Sequence, residues 1–527
     1  MKLSPATLND GFWAQKGYKT PAFDVGEVRE RTRKSPVWLH FGVGNIFRVF
    51  PAMMQQKLLN AGLARSGIVG CEVFDEECVT KICDRYGCLT VGVTLRADGG
   101  ADKDVIAGLT DAYTWSAGRA KVAEIFENPS LQMASFTITE KGYQLKAADG
   151  SLLPFIAGDI EAGPDHAANL MGVTAGLLHR RYLKGAPPVT LVSLDNCSHN
   201  GDRLYEAVNF IAGEWLARGM VGGGFLEYLN DRSKTAFPIS MIDKITPRPS
   251  GAVRDMLAAD GLEDCDIVVT ARNTYTAAFV NSEETGYLVV EDTFPGGRPP
   301  LEKAGAIFTD RGTVNKVEKM KVCTCLNPLH SALAVFGCLL GYTSIAAEMK
   351  DAELVRLISR IGYDEGLPVA VDPGIISPRA FIGECINVRF PNAFVPDTPQ
   401  RIACDTSQKI PVRFGETLKA YRSRGLDTAS LRYIPLFFAG YLKYLTGIGD
   451  DGGPFELSPD PMLDELTGRL KGISAQNLHE RVEPILSNAM IFGLNLYECG
   501  LGGKVEGYFA RMLEGPGAVR AALKESL

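Results

Sequence analysis

Ten residues within "KVCTCLNPLHSALA" hold an ammonium, a carboxamide and an imidazole: Lys321, Asn327 and His330, with Pro328 beside the amide. The surrounding stretch is apolar enough to pack as a buried helix, where such groups cost desolvation unless they are used. Between them they can donate hydrogen bonds and exchange a proton. Three further stretches are polar where packing is expected. "SLDNCSHNGDRL" carries Asp195, Asn196, His199 and Asn200; "FPISMIDKITP" carries Asp243 and Lys244; "PQRIACDTSQKIPVRF" carries Arg401, Asp405 and Lys409.

The elements that must hold these groups follow from periodicity. "SPVWLHFGVGNIFRVFPAMMQQKLLNAG" moves from an apolar run, Val37 to Phe41, through glycines into an amphipathic stretch ending at Gly62, which reads as strand, tight turn and helix. "GIVGCEVF", residues 67–74, completes a βαβ unit. A helical "GRAKVAEIF", a strand-like "MASFTITEKGYQL", a helix near "HAANLMGVTAGLLHRRYL" and the strand "VTLVSL" at 189–194 continue the alternation. This pattern predicts a mainly parallel sheet covered by helices, with Asp195, Asn196, His199 and Asn200 at its carboxyl edge, where open α/β sheets bind ligands. After about residue 310 the patterns become long and helical, and the Pro- and Gly-rich "DTFPGGRPPLEKAG" approaches the junction. The expected fold is α/β, with an N-terminal Rossmann-type dinucleotide-binding domain over 1–310 and a mainly α-helical C-terminal domain over 311–527.

In "FGVGNIFR", Gly42 permits the tight turn and Gly44 lets backbone approach a pyrophosphate at a helix N-terminus. The third glycine of the dinucleotide fingerprint is absent, since Phe47 stands there. Glu72 and Asp75, at the end of the second strand, suit an adenosine ribose and would repel a 2′-phosphate, which favours NAD over NADP. Each could equally be a solvated loop acid.

The 527 residues are 46% hydrophobic and 22% charged, with a net charge of −7 and no long basic run, so a large core is expected and a nucleic-acid partner is not. The twelve cysteines have neither zinc spacing nor the density of a secreted disulfide scaffold, and no His/Asp/Glu cluster accompanies His199, so no metal is expected. The N-terminus lacks the basic start and apolar stretch of a secretory signal, and no run reaches the roughly 18 uninterrupted apolar residues of a membrane span. A cytoplasmic protein without membrane partners, a monomer or small homo-oligomer, is the expectation. His40, His166, His179 and His479 have no supporting partners and read as structural; His199 closes a turn.

The ordered set of motifs, the glycine turn with Arg48, "DNCSHNG", "MIDKITP", "KVCTCLNPLHSALA" and "RIACDTSQKIP", resembles the polyol-specific long-chain dehydrogenases over most of the chain. The resemblance implies metal-independent chemistry with NAD(H) or NADP(H) on a small sugar-acid or polyol substrate, at an active site between the two domains. It places the acid/base role on Lys321, carbonyl-polarising amides on Asn196 and Asn327, and positioning of substrate and lysine on His330. Asp243, Arg401 and Lys409 match substrate-pocket positions. Arg48 is expected near the cofactor phosphates or the domain interface, and Asp195 is a structural or ribose-binding carboxylate rather than a proton carrier.

The chemistry agrees with those residue types. Hydride arriving at a ketone carbon leaves negative charge on oxygen, which needs donors aimed at it and an acid to protonate it. Basic residues in the pocket rank D-fructuronate/D-mannonate interconversion first, ahead of fructose/mannitol and tagaturonate chemistry, with a non-catalytic NAD-binding sensor as the reading from another class. Two departures matter. Relatives place the lysine five residues before the asparagine, whereas Lys321 and Asn327 are six apart, a rotation of about 100° on a regular helix. Pro328 clashes with the carbonyl of Thr324, so a local helical bulge is expected to absorb the extra residue. Relatives also carry aromatic-histidine-arginine after the second glycine, where this chain has Ile46, Phe47 and Arg48.

Overall fold

The computed structural model describes residues 1–394 and 397–527. The chain divides into two units, Met1–Val314 and Asn315–Leu527.

The N-terminal unit is built on six parallel strands: β1 (Trp38–Phe41), β2 (Ile68–Glu72), β3 (Leu109–Thr114), β4 (Met133–Phe136), β5 (Val189–Ser193) and β6 (Thr235–Ala236). Their spatial order is β3-β2-β1-β4-β5-β6, the doubly wound order of dinucleotide-binding sheets. Every residue of β1, β2, β4 and β5 is buried, because helices cover both faces of a parallel sheet. The period of two is visible in the packing: Leu39 and Phe41 join one core cluster with Ala134, Phe136 and Leu191, while Trp38 joins the opposite one with Met133 and Val192. The strand-like run beginning at Met133 ends as a strand at Phe136, and a 3₁₀ turn, Glu140–Tyr143, follows.

Three smaller sheets among the described residues were not anticipated. One has four strands, Tyr18–Lys19, Ala101–Ile106, Thr90–Leu95 and Phe279–Glu283 in that spatial order; the second has three, Ser240–Asp243, Tyr287–Glu291 and Ile307–Thr309; the third is a two-stranded hairpin, Val268–Val269 with Tyr275–Thr276. Apart from the hairpin of Thr90–Leu95 with Ala101–Ile106, pairings such as Thr90–Leu95 with Phe279–Glu283 and Ser240–Asp243 with Tyr287–Glu291 join segments far apart in sequence, which periodicity alone does not reveal.

The C-terminal unit is helical. Its central element continues α1 (Arg311–Met320) through a π-helical turn at Lys321–Cys325 into α2 (Asn327–Leu339). Arg311–Leu339 is long and apolar enough to cross a membrane by composition, but 83% of its most apolar window is buried inside the protein. Against α2 pack α3 (Ala352–Ser359), the short helix Pro399–Ile402 and α4 (Tyr433–Tyr444).

Candidate active site

The glycine turn leaves the end of β1 with Gly42 at φ +93°, and a Cβ there would lie 2.3 Å from the Thr137 carbonyl oxygen. Only glycine fits this bend. Beneath it His40 is fully buried, stacked on Phe47 with ring centroids 3.8 Å apart. Its Nδ1 lies 2.6 Å from Ser135 Oγ, and its Nε2 is 3.0 Å from the Gly42 carbonyl oxygen. Burial pushes this imidazole down to about 3, so it is neutral. The residue replacing the third glycine therefore floors the turn as a flat aromatic partner for His40.

Gly44 precedes the short helix Asn45–Val49, and a Cβ on it would meet nothing within 4 Å. The residues here fit a dinucleotide: open backbone at Gly44 faces the place where a pyrophosphate would approach.

The acids at the end of β2 are engaged by the protein's own backbone. Glu72 is buried; its Oε2 accepts from Val43 N (3.0 Å), and its Oε1 from Phe74 N (3.2 Å) and Asp75 N (3.4 Å). Burial raises its pKa against the pull of those three N–H groups. Asp75, also buried, accepts from the Thr270 hydroxyl at 2.7 Å. Arg48 is 2% exposed; it donates to the Ala277 carbonyl, Thr276 Oγ1 and Asn45 Oδ1, each at 2.9 Å, while its Nε has no hydrogen-bond partner among the described residues. The guanidinium thus ties the glycine-turn helix to residues 276–277.

At the carboxyl end of β5, Asp195 accepts from Ile138 N, Thr139 N and Tyr143 Oη and is raised by burial. Asn196, next to it, is exposed. Asn200 is fully buried and holds the whole loop: its amide donates to the carbonyls of Asp195 (2.9 Å) and Ser240 (3.1 Å), and its oxygen accepts from Ser240 N (2.9 Å). It thereby links the Asn196 loop to the strand that ends at buried Asp243. His199, exposed in a left-handed turn at φ 53°, lies 3.2 Å from Asp202.

In the C-terminal unit, the expected bulge is present between Lys321 and Asn327. The Leu326 N–H donates to the Lys321 carbonyl at 3.2 Å, an i→i+5 bond. Such a turn takes up one residue more than an α turn, so six residues across it cover the rotation that five cover in a regular helix. Pro328 supplies no N–H for the Cys323 carbonyl five residues earlier; that oxygen accepts instead from Thr417 Oγ1 at 3.1 Å. Lys321 is 5% exposed. Asn327 is half-buried, and among the described residues nothing hydrogen-bonds its carboxamide.

His330 follows one turn later, stacked on Phe390 at 5.3 Å. Its Nε2 lies 3.5 Å from Asp397 Oδ2 and has no hydrogen-bond partner among the described residues. Burial, then the charges of Arg413, Arg401, Arg389 and Lys409, push the ring down to about 3. Arg401, mostly exposed, pairs with Asp397. Lys409 donates to the carbonyls of Ile402 and Cys404, and burial followed by Arg413 lowers its pKa. Arg413 sits in another π-helical turn, Pro411–Gly415, and donates to Ser331 Oγ (2.6 Å) and the Asn327 carbonyl (3.3 Å); burial lowers it to about 10.

Arg389, Asp397 and Arg413 were missed by reasoning from the sequence. Arg413 stands inside the polar stretch already singled out, four residues after Lys409, and Asp397 four before Arg401, so helical spacing was the available signal. Among the described residues no group of three or more potential metal ligands occurs.

A sheet in this order with its glycine turn, followed by a helical unit carrying a lysine, an amide and a histidine, defines a Rossmann-type dehydrogenase architecture. Residues 37–303 match the mannitol dehydrogenase Rossmann domain, and residues 313–504 match the mannitol dehydrogenase C-terminal domain. The chain belongs to the mannitol dehydrogenase family. A D-mannonate oxidoreductase of Thermotoga maritima is 48% identical over 535 residues, covering 100% of this chain and 99% of that protein. The Pseudomonas fluorescens mannitol 2-dehydrogenase, solved with NAD and D-mannitol, is 25% identical with a TM-score of 0.70, over 100% of this chain and 99% of that one. A substrate-free D-sorbitol dehydrogenase shares the fold at a TM-score of 0.79 and 24% identity, over 96% and 97% of the two chains.

Proposed function

We propose that this chain is an NAD-dependent oxidoreductase interconverting D-fructuronate and D-mannonate, acting in the cytoplasm without a metal. The observation that carries the choice of a carboxylated substrate is the charge around His330. Four cations, Arg389, Arg401, Lys409 and Arg413, act on that ring, and Asp397 is the acid beside it. Guanidinium and ammonium groups gathered there suit a substrate carboxylate, which guanidinium can grip in bidentate fashion. The name of the 48% identical relative supports the same substrate.

NAD(H), held at Gly42 and Gly44 with its adenosine half toward the end of β2, would supply or take the hydride at the substrate carbon. The chain's own groups handle the oxygen. In reduction that oxygen gains negative charge, and the Asn327 carboxamide, unengaged by described residues, donates to it; Asn196 has the same duty from the loop after β5. The Lys321 ammonium then gives the proton that completes the hydroxyl, and in the oxidative direction the neutral amine takes it back. His330, neutral throughout the physiological range, positions rather than titrates. Asp243 contributes to substrate binding with Arg401 and Lys409.

The test follows NADH oxidation by the purified chain with fructuronate, tagaturonate and fructose in parallel, then with NADPH. Fructuronate with NADH is expected to show the highest kcat/KM. A higher value for fructose or tagaturonate overturns the substrate assignment, and reduction of none of them overturns the enzyme reading in favour of an NAD-binding sensor.

A further inference from the structure

Lys443 stands in the last turn of α4, a helix buried along Ile434–Tyr444 that carries no other charge. The residue is 7% exposed, and among the described residues no hydrogen bond or ion pair reaches its Nζ. Burial lowers its pKa, and the acid that opposes the shift is Asp450. That carboxylate is committed elsewhere: its Oδ1 accepts from Val519 N (2.8 Å) and Arg520 N (3.4 Å) at the start of the helix Ala518–Ser526. The negative end of α4 gives some compensation, although the Lys443 carbonyl itself already accepts from Thr446 N (3.1 Å) and Thr446 Oγ1 (2.6 Å). A buried ammonium without a counter-ion is costly, and this unit keeps one.

The surroundings give it a use. Lys443 lines a cavity of about 700 Å³, within the size range of small-molecule sites. The walls are apolar: Leu457, then Leu463 and Leu470 from the helix Leu463–Leu470, Ile473, and Leu513 just after the helix Gly502–Met512. Lys471 and Asp464 also line it, but both are exposed, so water and salt screen them. The lining hydroxyls of Thr446 and Thr467 donate to the carbonyls of Lys443 and Leu463. The Lys443 ammonium is the donor left for a ligand.

This place is separate from the groups assigned to catalysis. A Cβ on Gly440 of α4 would lie 2.7 Å from the Phe336 ring, and Asp450 N donates to the Leu339 carbonyl at 2.8 Å. The cavity end of α4 therefore meets the last turns of α2, about 13 Å along that helix from His330. One ammonium among leucines matches a single negative charge on an apolar body; a dianionic phosphate ester would need more donors than the lining offers.

We propose that this cavity binds a small amphipathic carboxylate, with its head group on the Lys443 ammonium and its apolar body against Leu457, Leu463 and Leu470.

Octanoate is the probe, beside octanamide, which keeps the apolar body without the charge, and acetate, which keeps the charge without the body. Calorimetric titrations use the full chain as wild type, Lys443→Met and Arg413→Met. Octanoate should bind wild type at least tenfold more tightly than either control, raise its melting temperature and slow amide hydrogen exchange over residues 463–473. Lys443→Met should bind octanoate tenfold or more weakly and octanamide within twofold of wild type. Arg413→Met alters the cations around His330, the rival place for a carboxylate, and should bind octanoate as wild type does. Wild type that ignores millimolar octanoate, or takes octanamide equally well, overturns the proposal. So does Lys443→Met binding octanoate within twofold of wild type, or a tenfold loss in Arg413→Met, which would put the carboxylate beside His330. The ligand comparison and the exchange pattern are read on wild type and need no variant to fold.

Discussion

Gly42 and Gly44 stand two residues apart in one turn, yet alanine at each should fail in a different way. At Gly42 the backbone is left-handed, which costs an L-residue about 1–2 kcal/mol. The new Cβ would also sit 2.3 Å from the Thr137 carbonyl oxygen. Thr137 cannot retreat freely: its N–H donates to Phe41 O at 3.0 Å and its hydroxyl to Gly42 O at 2.9 Å. Overpacking of this kind costs about 1–3 kcal/mol more, so Gly42→Ala should lose roughly 2–5 kcal/mol in total. At Gly44, φ is −74° and a Cβ meets nothing within 4 Å. Alanine is a poorer N-cap by about 0.5–1 kcal/mol, while the unfolded chain loses freedom worth about 0.4–1 kcal/mol, and the two nearly cancel. The methyl would occupy the space a pyrophosphate needs, so Gly44→Ala should fold like wild type and bind NADH tenfold or more weakly, about 1.4 kcal/mol. Denaturant unfolding followed by circular dichroism, alongside NADH titration, reads both effects. If Gly44→Ala binds NADH within twofold of wild type, or Gly42→Ala unfolds at the wild-type midpoint, the assignment of the turn is wrong.

Three further outcomes are expected. His40 and His330 are both held neutral down to about 3, whereas in the unfolded chain they take a proton below about 6.5. Stability should therefore fall as pH drops from 6.5 towards 3, by about 2 kcal/mol per histidine at pH 5; equal stability at pH 5 and 7.5 would contradict this. Lys321→Met should lower kcat about 10²- to 10⁴-fold with NADH affinity unchanged, measured by steady-state kinetics beside calorimetry. Arg413→Met should raise KM for fructuronate roughly tenfold, with a smaller change for fructose, since only the former offers a carboxylate to the lost charge.

Much of the N-terminal unit was legible from residue order. Val37–Phe41, the glycines and the stretch ending at Gly62 read as strand, turn and helix because each signal is local: period two, then φ-permissive residues, then period 3.6; the structure has that order but starts the strand at Trp38, breaks the helix at Phe50, ahead of Pro51, and ends it at Asn60. The run at 67–74 likewise gave β2, though the end of the strand at Glu72 was fixed by contacts the run does not contain. The Pro328 argument located a bulge because a missing N–H is a property of the residue itself. What could not be read were pairings between distant segments, such as Thr90–Leu95 with Phe279–Glu283, and the second role of a polar residue. Asp195 and Glu72 are ordinary strand-end acids in sequence; in three dimensions their oxygens clasp backbone N–H groups from Ile138, Thr139 and Val43.

By itself, the order of residues determined the alternation of strands and helices, the glycine turn, the ordered polar motifs and the irregularity before Asn327, since each depends on neighbours along the chain. Tertiary structure alone decided that Arg389 and Arg413 join Arg401 and Lys409 in charging the surroundings of a buried neutral His330, and that Lys443 and Leu513 line one cavity. Coulomb and packing interactions act through space between groups hundreds of atoms apart along the backbone, and no local pattern encodes that distance.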